Sequence, residues 1–121
     1  DDKSKRFAEA AGGLFSTPVD LVKFYQMIAN KGLFNGKRLL TENSVAELGK
    51  DQTDKNVKEQ RGLGWAVSDN WIGHAGAYGT DSRFYFKDGV IVMLYVLQQD
   101  LPKYGEACQL FWKEVEAKYH L

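Results

Sequence analysis

The hydrophobic period changes near Arg61, and that change limits the fold more than any other feature of the chain. Before it, Leu21, Phe24, Tyr25 and Ile28 recur at helical spacing and give one apolar face. After it, Leu63, Trp65 and Val67 alternate with Gly64, Ala66 and Ser68, which is the pattern of a strand. Trp71 to Gly79 reads as a glycine-rich strand or strand end. Arg83 to Lys87 reads as a further strand, with Phe84 and Phe86 on one face and Tyr85 on the other. The unbroken apolar run Val90 to Leu97 reads as a central strand buried on both faces. Helical spacing returns after Pro102, at Tyr104, Cys108, Phe111 and Val115. Helices, then a meander, then a helix predict an α+β fold: an antiparallel sheet of three to four strands packed with helices on at least one face. Four strands at most, one of them doubly buried, call for helices on both faces or for strands from elsewhere.

The punctuation agrees with this order. Thr17 can cap a helix, Pro18 suits its first position, and Asp20 can answer both the cap and the helix dipole. Asn30-Lys31-Gly32 supplies the stop, with Gly32 free to turn left-handed. Asn35-Gly36 between short apolar pieces is a tight-turn signal. Thr41 caps a short helix carrying Val45, Ala46 and Leu48, which Gly49 ends. Lys50 to Gln60 is almost wholly polar and reads as a long surface loop. Ser68-Asp69-Asn70 and Asp88-Gly89 are turn clusters. The 121 residues suit one domain, divided here into a polar arm at residues 1–9 and a single α+β domain at residues 10–121. The chain starts Asp1-Asp2-Lys3 with neither an initiator Met nor a signal-like apolar stretch. The expectation is therefore a segment of a longer protein or a processed chain.

Charge and composition narrow the function classes. Sixteen basic side chains balance sixteen acidic ones, which removes the electrostatic case for a nucleic-acid or membrane-surface partner. A single cysteine, Cys108, excludes an internal disulfide, and with two histidines there is little to build a metal centre from. No metal and no cofactor is assigned. The longest apolar run is too short to span a bilayer.

Chemistry-bearing motifs are few. There is no Gly-x-Ser-x-Gly, and none of Ser4, Ser16, Ser44, Ser68 and Ser82 is followed by Lys three residues later. Ser68-Asp69-Asn70 matches a three-residue element of some β-lactamases, but Asp and Asn are also the usual turn residues, and the turn is the reading adopted. His74 stands alone in a rich context. By itself it is a strand residue without a visible chemical partner. Gly73, Gly76 and Gly79 around it would let backbone approach a ligand, or would mark a bulged edge strand. Their spacing is not that of a phosphate loop. The aromatic residues from Trp65 to Phe86 read as core and rim packing. Cys108 reads as a small hydrophobe. Lys31, Lys37 and Arg38 read as solvated surface.

Four segments in series then carry a resemblance. Ala11 to Leu21 resembles the "A-G-G-L-x-S-T-x-x-D-L" segment of the serine β-lactamase superfamily, class C type. Gly32 to Leu40 is similar to its next segment, and Gly62-Leu63-Gly64-Trp65 to its "G-L-G-W" strand. His74-Ala75-Gly76-Ala77-Tyr78-Gly79 resembles its third active-site element, Lys/His-x-Gly. The similarity runs from about Ala10 onward in the family's order. It implies a strand edging an active-site cleft. On it, His74 acts on the acyl group or substrate carboxylate, Gly76 permits close approach, and the Ala77 N–H forms half of an oxyanion hole. Such donors are worth ~2.7–4 kcal/mol each. The family's nucleophilic Ser-x-x-Lys and its Tyr-x-Asn element lie upstream of these segments, and this chain carries neither. His in place of Lys offers less fixed positive charge, which leans away from β-lactams towards esterase- or peptidase-like relatives.

The resulting expectation is the C-terminal part of a β-lactamase-related serine hydrolase, inactive alone. It would be partnered by the missing N-terminal part of the same protein and would tend to self-associate through an exposed sheet edge. The alternative is a non-catalytic binding module on the same scaffold. A periplasmic or extracellular setting is implied by the resemblance.

Overall fold

The computed structural model describes residues 12, 14–96 and 102–121. Helix α1 spans Pro18–Ala29. It starts where Thr17 Oγ1 accepts the Asp20 N–H at 3.2 Å, with Pro18 in the first turn. It stops at Asn30, where Lys31 and Gly32 turn left-handed at φ 52° and 89°. At Gly32 only a glycine fits, because a Cβ there would run into the Leu40 carbonyl. Strands β1 (Leu33–Phe34) and β2 (Lys37–Arg38) form a hairpin. Asn35 and Gly36 make its turn at positive φ, as the Asn-Gly pair requires. Helix α2 (Glu42–Leu48) is capped by Thr41, whose Oγ1 accepts the Ser44 N–H at 3.0 Å.

The second half is an antiparallel meander: β3 (Ala66–Val67), β4 (Trp71–Ala75), β5 (Thr80–Tyr85) and β6 (Val90–Tyr95), in that spatial order. Helix α3 (Tyr104–Tyr119) closes the chain. The α+β architecture and its four-stranded antiparallel sheet are as expected. Three details differ. The strand after Arg61 is shorter, because Gly64 takes φ 84° and breaks the alternation; Leu63 is exposed, while Trp65 is buried and Val67 packs against the core. β5 begins at Thr80 rather than Arg83 and ends at Tyr85, so Phe86 lies exposed in the turn to β6. β6 is not central. A meander places its last strand at the rim, and all six of its residues are half-buried. Leu97 lies outside the described residues.

Strand β5 has a helix against each face. Ser82 and Phe84 point towards α1, where Tyr25, Met27 and Ile28 meet Trp65 and Ile72 in the main core. Asp81, Arg83 and Tyr85 point towards α3. There Trp112 Nε1 donates to Asp81 at 2.8 Å. Arg83 Nη1 and the Tyr85 hydroxyl both donate to the same Glu116 oxygen, at 2.9 and 2.7 Å. The Arg83 guanidinium lies between two indole rings, 4.4 Å from the centre of Trp71 and 3.9 Å from that of Trp112. Trp112 is the buried anchor of α3, while its neighbour Phe111, which falls on the apolar spacing, is half-buried.

Glu116 thus neutralises a largely buried cation and holds two donors. Replacing it by alanine leaves the guanidinium without its carboxylate. The expected loss is about 1.5–3 kcal/mol, read as a lower urea midpoint at unchanged slope. Arg83→Met combined with Glu116→Ala should recover part of that loss.

Candidate functional site

Alternation along β4 puts Ile72 and His74 on the α1 side of the sheet. β3 pairs only with Ile72 and Gly73, so at His74 and Ala75 the outer side of β4 has no strand partner among the described residues. The strand ends in the turn Gly76-Ala77-Tyr78-Gly79. The Gly76 N–H donates to Thr80 O at 2.6 Å, the Gly79 N–H to Gly76 O at 3.1 Å, and the Val96 N–H to Gly79 O at 2.8 Å. A side chain at Gly76 would strike Thr80 Oγ1, and one at Gly79, at φ 86°, would strike the Val96 carbonyl. Gly79, at positive φ and against backbone, has to be glycine for the chain to reverse so tightly, whereas a side chain at Gly76 would need the Thr80 hydroxyl to rotate away. No acceptor among the described residues takes the Ala77 N–H, and Ala77 and Tyr78 are exposed.

The turn brings His74, Gly76 and Ala77 together at one corner of the sheet. His74 is exposed and makes no hydrogen bond or ion pair among the described residues. His74 and Gly76 line a cleft of about 420 Å³ bounded by α1, the Leu63–Trp65 segment and the inner faces of β5 and β6. Ala77 lies at its rim, outside the lining. One wall is apolar: Phe24 and Trp65 stack with ring centres 5.8 Å apart and planes 16° apart. The floor is a hydroxyl pair, Tyr25 OH and Ser82 Oγ at 2.7 Å, with the phenol also donating to Ser82 O at 3.3 Å.

Ser82 is the direct cross-strand neighbour of His74, yet the two do not form a nucleophile–base pair. The Ser82 hydroxyl is buried and committed to Tyr25, and His74 makes no bond to it. Ser68-Asp69-Asn70 forms the β3–β4 turn, with the Ser68 N–H donating to Trp71 O at 2.9 Å. Cys108 is half-buried on α3, on the far side of the sheet. Among the described residues there is no cluster able to hold a metal, and no helix is long and apolar enough to cross a membrane.

The Tyr25–Ser82 floor joins residues 57 apart and carries no motif. Its one signal was Tyr25 itself, a polar tip on the apolar face of a helix, which needs a partner once buried. Burial pushes the Tyr25 phenol up to about 12, and burial with the Glu116 bond does the same for Tyr85. An unfolded phenol ionises near 10, so both groups give stability that is complete below pH 10 and is lost as pH rises towards 12. An alkaline titration should therefore unfold the protein over that window, with tyrosinate absorbance from these two appearing together with loss of near-ultraviolet circular dichroism. Tyr25→Phe should shift the alkaline midpoint upwards relative to its own neutral-pH stability.

The described residues thus form an antiparallel meander with a helix on each face and a histidine–glycine corner at an open strand end. The sequence pattern of the beta-lactamase family matches residues 1–116, and the chain belongs to that family. Two proteins of Mycobacterium tuberculosis are each 33% identical to it over 67 residues: the uncharacterized protein MT1414 of strain CDC 1551 / Oshkosh and protein Rv1367c of strain ATCC 25618 / H37Rv. The match covers 55% of this chain and 16% of each relative, so the shared segment is a small part of their length.

Proposed function

We propose that this chain is the C-terminal portion of a class C-type, β-lactamase-related serine hydrolase and furnishes the His-x-Gly strand of its acyl-transfer site. The carrying observation is the corner after β4, where an exposed His74, Gly76 packed closely on the Thr80 hydroxyl, and an Ala77 N–H with no acceptor among the described residues stand together. An N–H with no internal partner, at the rim of a cleft, suits the developing oxyanion of a tetrahedral intermediate. His74 would assist electrostatically beside it. The nucleophile and its lysine would come from a Ser-x-x-Lys segment that these 121 residues do not contain.

The chain alone should turn over neither nitrocefin nor p-nitrophenyl esters. In a parent reading frame that supplies Ser-x-x-Lys, Ala77→Pro removes the donor. It should lower kcat by about 10²–10³-fold, with Ala77→Gly near wild type. Serine-inhibitor-sensitive turnover by the chain alone, or full activity of the proline variant, would contradict the proposal.

Association belongs to the same proposal. β6 reads Val-Ile-Val-Met-Leu-Tyr with no charged residue, and its outer edge has no strand partner among the described residues. Such an edge pairs with another strand when one is available. Light scattering of the chain alone should show concentration-dependent dimers or larger species, and Val92→Lys should reduce them; a strict monomer at high concentration counts against it.

A further inference from the structure

The cleft beside His74 has a composition that selects among acyl substrates. Its walls are Leu21, Phe24, Leu63 and Trp65, and its polar groups are hydroxyls and the His74 ring; among the described residues that line it there is no Lys, Arg, Asp or Glu. The deepest polar pair is already satisfied. The Tyr25 and Ser82 hydroxyls bond each other at 2.7 Å, and the phenol also lies 3.3 Å from the Ser82 carbonyl. With its phenol pushed up to about 12, Tyr25 carries no charge at neutral pH and adds none to the floor.

A ligand entering this space loses water and meets rings and methyl groups. For a neutral acyl group that exchange is favourable, and the flat Phe24–Trp65 stack suits an aromatic one. For a carboxylate it is costly, since a buried anion needs a cation or several donors and, among the described residues that line the cleft, His74 is the only side chain that can become cationic. We infer that the cleft takes neutral esters or amides with an aromatic or branched apolar acyl group and discriminates against substrates that bring a carboxylate into it. This rests on the hydrolase reading for its chemistry, but the binding preference belongs to the cleft and can be measured without turnover.

The test uses the chain as it is, with methyl phenylacetate and phenylacetate as matched probes at neutral pH, read by tryptophan fluorescence and by ligand-observed NMR. The neutral ester should bind at least about tenfold more tightly than the anion. Phe24→Ala, at a partly exposed position, should weaken the ester by about five- to tenfold with the circular dichroism spectrum unchanged. Lys113→Ala, on the exposed surface of α3 behind the sheet, should leave both probes unaffected. Equal or tighter binding of phenylacetate, no binding of the ester, or an ester affinity indifferent to Phe24→Ala in the folded variant would overturn the inference. Loss of the hydrolase reading shows separately, as a parent frame without Ser-x-x-Lys or a parent enzyme without turnover.

Discussion

Strand β5 is the constraint on which the rest of the structure depends. It is hydrogen-bonded to β4 on one side and β6 on the other, and its side chains alternate between two helices. Ser82 and Phe84 fasten α1, while Asp81, Arg83 and Tyr85 fasten α3. The two attachments differ in kind. The α1 side is mainly apolar burial with one hydroxyl pair. The α3 side is a charged and aromatic lock in which one carboxylate holds two donors and two indoles enclose the guanidinium. Because the strand's period is two, a slip of one residue would send Arg83 into the apolar core and Phe84 to the carboxylates, so the register is fixed by chemistry on both faces.

With a helix against each face, the sheet meets its surroundings at the cleft beside α1 and at its edges. At one, β3 is too short to cover His74 and Ala75, and the tight turn that follows leaves the Ala77 N–H without an internal acceptor among the described residues. At the other, β6 shows an apolar strand with one neighbour among the described residues. In the proposed function the two edges have different uses: the first serves a reacting carbonyl, the second another strand. Gly76 and Gly79 connect the edges to the hub, since their lack of side chains lets the chain turn back into β5 and lets Val96 bond across to the turn.

Much of this was legible in the sequence because the signals were local. Thr17-Pro18, Asn35-Gly36 and Thr41 each act through neighbours one to three residues away, and each forms the cap or turn its chemistry dictates. The His74-Ala75-Gly76-Ala77 segment was singled out through a resemblance, and the structure shows where its residues sit. What the sequence hid was relational. An apolar run suggests burial but not which neighbours supply it, so Val90 to Leu97 read as central although β6 lies at the rim. The pairing of Tyr25 with Ser82, and of Arg83 with Glu116, joins residues far apart in the chain, and no spacing rule reaches that distance. Gly64 ended a strand early because its positive φ overrode a clean apolar alternation.

The central claim is that a firmly held β5 presents an Ala77 N–H with no internal partner at the mouth of the cleft. Residue-resolved native-state hydrogen exchange tests both halves in one experiment. The account predicts that the Arg83 and Phe84 amides exchange among the slowest in the chain, through global unfolding, while the Ala77 amide exchanges close to the rate of an unprotected peptide. An Ala77 amide as protected as those of β5, or β5 amides that exchange by local opening, would contradict it.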